Sequence, residues 1–325
     1  MLGAVTAPPT TFDALAGKHR RALHVHCYRL VGSLSDAEDL VQETFLRAWR
    51  AQGSYDAATG EVGFQRWMYR IATNACLDFL KSSSRRVTSM SRSFAEVPWL
   101  EPYPDSLLDE LPTDDAGPDD AAVSKEAIAL GYLALIQLLP PQQRAVLVLR
   151  EVLGWSAAET ASLLEISVAA ANSSLQRARD TIARHADPRT TVAAPTDEER
   201  TVLAAFIDAH QRGDAAVALA LVSKDIRVTM PPLPQIFVGA DAIAPLLANA
   251  FDRDATGEWR LVPAWANRQP AAVSYLRRPG DTQFRAFKID VLRVQGGLIE
   301  EITTFRGELV DAFGLPQVLP EEVAS

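Results

Sequence analysis

Apolar residues recur at three- and four-residue steps through the first quarter of the chain, which is the spacing of amphipathic helices. The predicted helices are Phe12–Val31, Ser35–Ala51 and Phe64–Lys81. Ser35 and Glu38 have the spacing of a capping box, so we expect them to mark the start of the second helix. The pattern predicts an all-α domain over residues 12–86.

The second predicted helix carries an apolar stripe on one face, with acidic and amide groups beside it. An ordinary amphipathic core helix is one interpretation of this pattern. A docking surface for a basic partner is the other, because its carboxylates lie next to a partly exposed aromatic ring. The predicted docking residues are Asp36, Asp39, Leu40, Gln42, Glu43 and Phe45.

The third predicted helix combines aromatic and basic residues and follows a glycine-containing loop, Gly53–Gly63. Such a combination suits the capture of unstacked bases and the tracking of a single nucleic-acid strand. A core position is the alternative role for Trp67, since large aromatic side chains dominate cores. The candidate nucleic-acid contacts are Arg66, Trp67, Arg70, Asn74 and Lys81.

Residues 87–124 interrupt the helical pattern. Prolines alternate there with Asp and Glu, which excludes a long helix and favours extended backbone. We predict a linker, and within it Pro98, Trp99 and Leu100 form an apolar island. A bulky apolar side chain in a polar linker indicates an anchor against another part of the chain.

Helical periodicity returns over residues 125–187. Ser156 and Glu159 form a second capping-box pattern, at the start of a short helix that is followed by a three-residue turn and a longer helix, Val168–Arg184. Amide and guanidinium groups on the longer helix are typical of a helix-turn-helix that reads the major groove. The outward residues are Asn172, Ser173, Gln176, Arg177 and Arg179. A helical bundle with a solvated polar face is the alternative.

Beyond a predicted hinge at residues 188–195, helical patterns give way to strand patterns. Helices are predicted after Thr196, over Asp214–Val222 and over Ala240–Phe251. The predicted strands are Ile226–Met230, Trp259–Asn267, Ala271–Arg277, Phe284–Val294 and Leu298–Phe305. This order predicts an α+β domain over residues 196–316, with a curved antiparallel sheet that wraps its helices.

The net charge of −9 is unevenly distributed. Residues 12–86 carry net +3 and residues 125–189 net +1, whereas residues 87–124 carry −8 and residues 190–325 carry −5. Two mildly basic segments with an acidic connector and tail suit a DNA-binding protein with few phosphate contacts. The two cysteines lie on predicted helices, so we expect buried thiols and no disulfide framework.

The sequence lacks the patterns of a membrane protein, a secreted protein and a metal-binding protein. There is no apolar run of membrane-spanning length and no secretion signal, so we predict a cytoplasmic protein. His24 and His26 are two residues apart, and such side chains point to opposite sides of a helix. We therefore predict no metal site and no cofactor.

Three stretches resemble the bacterial extracytoplasmic-function sigma factors, group IV of the sigma-70 superfamily of RNA polymerase subunits. Asp36–Arg50 resembles their core-polymerase-binding helix, and Phe64–Asp78 resembles the segment that melts and holds the −10 promoter element. Leu153–Ala161 with Leu175–Arg179 resembles the region that reads the −35 element. The resemblance implies two all-α sigma domains, of which the second is a helix-turn-helix.

This resemblance implies a role for each candidate group. The docking residues would bind core RNA polymerase, the third-helix residues the −10 element, and the helix-turn-helix residues the −35 element. Asn172 and Ser174 stand where many relatives carry a basic residue, so we expect weak DNA binding without polymerase. The implied function is promoter-specific transcription initiation, with no enzyme activity of its own.

The last domain resembles the SnoaL-like family, a cone-shaped α+β fold with a central pocket. The resemblance rests on the order of elements and on Phe237–Ile243, Trp259–Trp265 and Phe313–Pro316. With the linker island, the chain resembles the SigG-like subgroup of these sigma factors. This implies that the tail regulates the sigma domains in place of a separate anti-sigma protein, with room for a small-molecule ligand in its pocket. The implied regulatory residues are Pro98, Trp99, Leu100, Phe313 and Leu315.

Two alternatives follow from the same patterns. Some proteins of the SnoaL-like fold are isomerases, cyclases or hydrolases, so the chain could be a DNA-binding regulator fused to an enzyme domain. The candidate general bases are His210, Asp225, Asp241 and Asp290, for which structural or solvated roles are the other interpretation. A helix-turn-helix regulator that binds duplex DNA without polymerase is the second alternative.

Overall fold

The computed structural model describes residues 12–82, 97, 99–109, 129–185 and 196–320. The chain divides into two units, one formed by residues 1–86 with 140–179 and the other by 87–139 with 180–325. The predicted hinge at residues 188–195 and most of the predicted linker lie outside the described residues. The described part of the predicted domain 125–187 contributes to both units.

The helices and strands follow the predicted order, except that α4 and β2 were not predicted. The helices are α1 (Phe12–Val31), α2 (Leu34–Arg50), α3 (Gly60–Ser82), α4 (Asp105–Asp109), α5 (Leu130–Gln137), α6 (Pro141–Leu147), α7 (Ala157–Leu164), α8 (Val168–His185), α9 (Asp197–Arg212), α10 (Ala215–Ala220) and α11 (Ala240–Phe251). The strands are β1 (Val222–Met230), β2 (Leu233–Val238), β3 (Glu258–Ala266), β4 (Gln269–Arg277), β5 (Arg285–Gln295) and β6 (Leu298–Arg306).

In the first unit, α1, α2 and α3 pack around an apolar core. Tyr28, Phe64 and Met68 are among its fully buried side chains. Removing a side chain of this size from water contributes about 2 kcal/mol to folding, so the stripes read from the sequence account for the bundle.

The start of α2 differs from the prediction. The helix begins at Leu34, and the N-cap is Ser33, whose Oγ accepts a hydrogen bond from the Asp36 backbone N–H at 3.2 Å. Gly32 adopts a positive φ of 75° at the end of α1, and this leaves Ser33 extended at the capping position. The predicted capping box of Ser35 and Glu38 is therefore wrong, because Ser35 already lies inside the helix.

The helix-turn-helix is confirmed. α7 begins with the predicted capping box, in which Ser156 N–H donates to Glu159 at 2.8 Å and Glu159 N–H donates to Ser156 Oγ at 3.2 Å. Glu165 ends α7 in the left-handed conformation, with φ 55°. Ser167 then accepts a hydrogen bond from the Ala170 N–H in the first turn of α8.

The second unit contains a six-stranded sheet in the order β2-β1-β6-β5-β4-β3. Four neighbouring pairs are antiparallel, as predicted, but β1 and β6 are parallel. The reason is the route of the chain: α11 separates β2 from β3, and the next three strands return hairpin by hairpin from the opposite edge. The Gly296–Gly297 turn fixes β6 antiparallel to β5, and this direction matches β1.

One strand, β2, was not predicted. Pro232 and Pro234 lie in or beside it and indicate a loop in the sequence. The structure tolerates proline here because β2 lies at the edge of the sheet, where an N–H can be missing. The helix predicted after Thr196 is present as α9, with a capping box formed by Thr196 and Glu199, and the bounds of α11 agree with the prediction.

Candidate functional sites

The predicted docking residues lie on α2. Asp39 and Gln42 are exposed, and Asp36, Glu43 and Phe45 are half-buried. The prediction that Leu40 is a docking residue is wrong, because its side chain is only 6% exposed and belongs to the core with its neighbour Val41. Leu40 therefore supports the helix and does not form part of its outer surface.

The carboxylates of α2 differ in their partners. Glu43 forms an ion pair with Arg47 at 2.7 Å, and Arg47 also pairs with Asp78 of α3 at 3.0 Å. These carboxylates hold Arg47, and the charge-assisted hydrogen bonds raise the pKa of its guanidinium. Among the residues that the structure describes, no cation lies within ion-pair distance of Asp39. Asp39 is thus the carboxylate of this edge that is open to a partner.

The surface of α2 extends further than predicted. Leu46 and Trp49, on its last turns, are 51% and 58% exposed. Trp49 contacts Phe12 edge to face, with ring centroids 5.8 Å apart. Exposed large apolar side chains beside carboxylates are typical of an interface. The helical spacing could not reveal this, since it places Trp49 on the same stripe as the core.

The candidate DNA-contacting residues of α3 fall into two groups. Arg66, Arg70, Asn74 and Lys81 are exposed. Trp67 is half-buried and packs against Tyr55 and Phe64, with ring centroids at 5.5 and 5.8 Å. The structure therefore favours a core role for Trp67 over stacking on a base.

Two of the exposed arginines contact α7 within the same unit. Arg66 Nη2 lies 2.8 Å from Glu159 Oε1, and Arg70 Nη2 donates to the Ser162 carbonyl at 3.2 Å. The ring of Tyr69 on α3 also meets that of Trp155, at 6.4 Å between centroids. The helix-turn-helix thus covers part of the surface on which the predicted −10 contacts lie.

A buried arginine on α6 makes another contact within this unit, with α1. Arg144 is 3% exposed and donates from Nη1 to the Leu30 carbonyl of α1 at 2.5 Å. Burial lowers the pKa of this guanidinium to about 9, so it is still protonated at neutral pH. No sequence pattern indicates this role, because an arginine near a helix start is usually solvated.

All five candidate −35 contacts on α8 are exposed: Asn172, Ser173, Gln176, Arg177 and Arg179. Arg179 forms an ion pair with Glu151 at 2.5 Å, and Arg177 donates to Ser174 Oγ at 3.2 Å. Ser174 itself is buried, so its side chain is not placed to contact phosphate. The outward face is therefore the predicted one.

The described part of the linker packs against the tail domain in the second unit. Tyr103 N–H donates to Asn267 Oδ1 at 2.8 Å, and Asn267 N–H donates to the Tyr103 carbonyl at 2.9 Å. Both residues are fully buried. Leu100 is buried and Trp99 half-buried, whereas Pro98 lies outside the described residues. The apolar island thus adjoins a segment anchored to the turn between β3 and β4.

An acidic side chain extends this anchor. Asp105 Oδ1 accepts a hydrogen bond from the Arg268 N–H at 2.8 Å, and the Arg268 guanidinium pairs with Asp109 at 2.6 Å. Burial raises the pKa of Asp105 to about 6, against the smaller opposing effect of Arg268. Asn267 and Arg268 both have positive φ, so the turn itself presents these groups to the linker.

The two remaining regulatory candidates, Phe313 and Leu315, lie at the opposite end of the sheet. Both are half-buried in the segment that follows β6, and this segment returns to β5, where Ala286 N–H donates to the Gln317 carbonyl at 2.8 Å. Arg285 pairs with Leu276 at the end of β4 that is far from Asn267. The structure therefore does not group Phe313 and Leu315 with the linker island.

A cavity of about 570 Å³ opens in the tail domain between the sheet, α9 and α11. Its walls are mainly apolar, with Phe206, Ile243, Leu246 and Trp259 among the lining residues. This size and lining are typical of small-molecule sites.

A cluster of polar side chains lines part of this cavity. Asp290 is fully buried: Thr304 Oγ1 donates to its Oδ1 at 2.7 Å, and Lys288 Nζ lies 2.8 Å from its Oδ2 without hydrogen-bond alignment. His210 donates from Nδ1 to the Phe206 carbonyl at 2.9 Å, so its neutral form carries no proton on Nε2. Burial, aided by Lys288, lowers the pKa of His210 to about 4, and the ring is neutral at physiological pH.

The other candidate bases do not share this site. Asp225 and Asp241 are exposed. His24 and His26 have separate partners, since His24 Nε2 is 3.6 Å from Glu38 and His26 Nε2 is 2.9 Å from Thr73 Oγ1. Within the described ranges, no group of three His, Cys, Asp or Glu side chains is arranged to hold a metal. No helix in those ranges combines the length and apolar character needed to cross a membrane.

Three parts of the chain match known domain families. Residues 15–86 match sigma-70 region 2, residues 130–182 match sigma-70 region 4, and residues 203–302 match the SnoaL-like domain. Together with the fold, these matches define a sigma-70-type factor that carries a SnoaL-like tail.

The chain is similar to known sigma factors. The chain is 38% identical over 325 residues to the ECF RNA polymerase sigma factor SigG of Mycobacterium tuberculosis, across 95% of this chain and 85% of that relative. It is 29% identical over 180 residues to SigE of Mycolicibacterium smegmatis, across 54% and 63% of the two chains. The crystal structure of the sigma factor SigJ of M. tuberculosis has the same fold, with a TM-score of 0.60 at 22% identity over 94% of this chain and 100% of that one. The chain belongs to the ECF RNA polymerase sigma factors.

Proposed function

We propose that this sigma factor binds core RNA polymerase through the outer edge of α2 and directs it to promoters. The observation that carries the proposal is the exposed carboxylate of Asp39 on the helix that also exposes Trp49 and part of Phe45. A helix surface with both a carboxylate and aromatic rings gives a basic partner charge complementarity and apolar area to bury. The relatives named as RNA polymerase sigma factors support this partner.

The DNA contacts of the proposal come from two helices. The outward residues of α8 would read the −35 element in the major groove, since amide and guanidinium groups form the specific hydrogen bonds to base edges. Arg66, Arg70, Asn74 and Lys81 of α3 would contact the −10 element. Their small number supports weak DNA binding by the free chain and stable binding only with polymerase.

The tail would regulate these sigma domains through the linker. The turn between β3 and β4 holds residues 103–109, which belong to the segment that joins the proposed domains 12–86 and 125–187. A fixed linker limits the arrangements that the two domains can adopt on a promoter. We predict that regulation by the tail of the same chain makes a separate anti-sigma protein unnecessary.

We also propose that the tail is not an enzyme. Thr304 donates to one oxygen of Asp290 and Lys288 forms an ion pair at the other, and burial lowers the pKa of His210 to about 4, which makes it a weak base. A general base needs a free lone pair near a proton on the substrate, with a pKa suited to the task. The relatives named as sigma factors likewise do not favour the fused-enzyme alternative.

The test is capture of core RNA polymerase by the full-length chain carrying Asp39→Arg. We expect this reversal to reduce capture by about tenfold or more, since like charges across an interface cost several kcal/mol. Asp254→Arg is the matched control, because it makes the same charge change at an exposed position in the tail. Equal capture by the wild type and Asp39→Arg would place the docking surface elsewhere.

A further inference from the structure

The cavity of the tail domain has a charge balance that restricts what it can hold. Lys288 and Asp290 form an ion pair in its wall, and His210 is neutral. Arg306 also lines the cavity, but its side chain is 60% exposed. The buried part of the wall therefore carries no net charge. A charged group placed there would lose its hydration without gaining a free counter-ion.

The polar groups of the wall also determine which hydrogen-bonding groups a ligand needs. Nε2 of His210 is a hydrogen-bond acceptor, because Nδ1 carries the proton that is donated to Phe206. The Lys288 ammonium has three N–H donors and lies 5.5 Å from the Trp259 ring centre. A hydroxyl or an N–H group is the smallest neutral group that can donate to the histidine.

The rim of the cavity is exposed and apolar. Leu233 on the edge strand β2 is 49% exposed, and Phe287 on β5 is 44% exposed. Phe287 packs edge to face on Trp259, with ring centroids 5.4 Å apart, so the rim continues into the apolar wall. A hydrocarbon ligand would cover these side chains and would gain about 25 cal/mol for each Å² removed from water.

We propose that this cavity binds an uncharged, largely hydrocarbon molecule with one hydroxyl or N–H group, which donates to Nε2 of His210 while the apolar body fills the space between the sheet and α11. A volume of about 570 Å³ suits a ligand of two or three fused or linked rings. The inference goes beyond the proposed function, because it concerns the tail alone and its test uses neither polymerase nor DNA.

The experiment titrates the full-length chain with two fluorescent probes that share one skeleton. N-phenyl-1-naphthylamine is neutral and has one N–H donor, whereas 8-anilinonaphthalene-1-sulfonate adds a negative charge. We expect the neutral probe to bind about tenfold more tightly, because the sulfonate finds no free buried cation. Competition by 1-phenoxynaphthalene, in which an ether oxygen replaces the N–H, should be weaker by a similar factor.

Asp290→Asn tests the charge argument by reversing the preference. The amide keeps the shape of the side chain but leaves Lys288 without its counter-charge. We expect the sulfonate probe to bind about tenfold more tightly to this variant, because an ammonium in the cavity wall without its counter-charge attracts an anion. Affinity for the neutral probe should change little.

Two further variants locate the probe. Leu246→Trp places a large side chain in the cavity and should abolish binding of the neutral probe. Val238→Ser is the control, since it removes an exposed apolar side chain of the same domain outside the lining. Circular dichroism checks that each variant is folded. No binding of the neutral probe by the wild type, equal affinity for the neutral and the sulfonate probe, or binding that survives Leu246→Trp in a folded protein would each overturn the proposal.

Discussion

Two contacts tie functional segments of this chain in place, and they differ in kind. Arg66 and Glu159 form an exposed ion pair between α3 and α7, with side chains that are 57% and 34% exposed. Tyr103 and Asn267 instead exchange two hydrogen bonds in a fully buried setting between the linker and the tail. The first contact covers the proposed −10 surface, and the second holds the proposed regulatory segment.

The difference indicates which contact can open during function. An exposed ion pair contributes about 0–1 kcal/mol and weakens in salt, so polymerase or DNA can displace it easily. A buried hydrogen bond between backbone and side chain is costly to break, because it leaves an unsatisfied N–H. We infer that the Arg66–Glu159 ion pair is releasable, whereas the buried contact of Arg144 with α1 and the attachment of the linker to the tail persist.

The largest effect is expected from Asn267→Gly. Glycine keeps the positive φ of the turn but leaves the buried Tyr103 N–H without its acceptor, which should cost about 1–3 kcal/mol. Chemical unfolding measures this loss, and limited proteolysis should cut the linker near residues 99–109 faster. Transcription by the reconstituted holoenzyme should change in parallel.

The control for this variant is Gly296→Asn, the converse exchange at the turn between β5 and β6. Gly296 also has a positive φ, and it takes no part in the contact of Tyr103 with Asn267. The control should leave linker proteolysis unchanged. If the linker of Asn267→Gly is cut no faster than that of the wild type, the linker is not held by this turn.

A smaller effect with a defined pH dependence is expected from Asp105→Asn. The pKa of Asp105 is raised from 3.8 to about 6 in the folded state, so folding favours its protonated form. The charged form therefore weakens the second unit above pH 6, and this cost disappears as the pH falls toward 4. Asp105→Asn should be more stable than the wild type at pH 7, by up to about 2 kcal/mol, and equal to it near pH 4.

Thermal unfolding across this pH range measures the difference between the two proteins. Asp109→Asn is the matched control, because it removes an exposed carboxylate from the same Arg268 and should give no such pH dependence. A variant Asp105→Asn that is less stable than the wild type at pH 7 would show that the Arg268 contacts outweigh burial.

Much of the fold could be predicted because single elements carry their own signals. The stripes of α1, α2 and α3, the capping box of Ser156 and the span Ala240–Phe251 each depend on residues close in sequence. The errors arose where tertiary context decides. Pro234 indicated a loop where the structure has β2, and a proline is tolerated in this strand because it lies at the edge of the sheet. The parallel pairing of β1 with β6 depends on the route of the chain through the whole domain.

The candidate sites show the same limit. Helical spacing correctly separated the outward residues of α8 from the core. It could not place Leu40 in the core and Trp49 outside, since both lie on one apolar stripe and only the packing of neighbouring helices distinguishes them. It also could not pair Asp105 with Arg268, which are far apart in sequence.

The smallest effect, and the sharpest test of a releasable contact, is expected from Glu159→Gln. Glutamine preserves the capping box with Ser156 but removes the charge that holds Arg66. Binding of a labelled, random-sequence single-stranded oligonucleotide to the free chain should strengthen by up to about fivefold, since the released ion pair is worth less than about 1 kcal/mol. Glu151→Gln is the control, because it frees Arg179 on α8 and leaves α3 unchanged. If Glu159→Gln binds no more tightly while Arg66→Ala binds more weakly, Arg66 is already available for DNA and the contact does not restrain it.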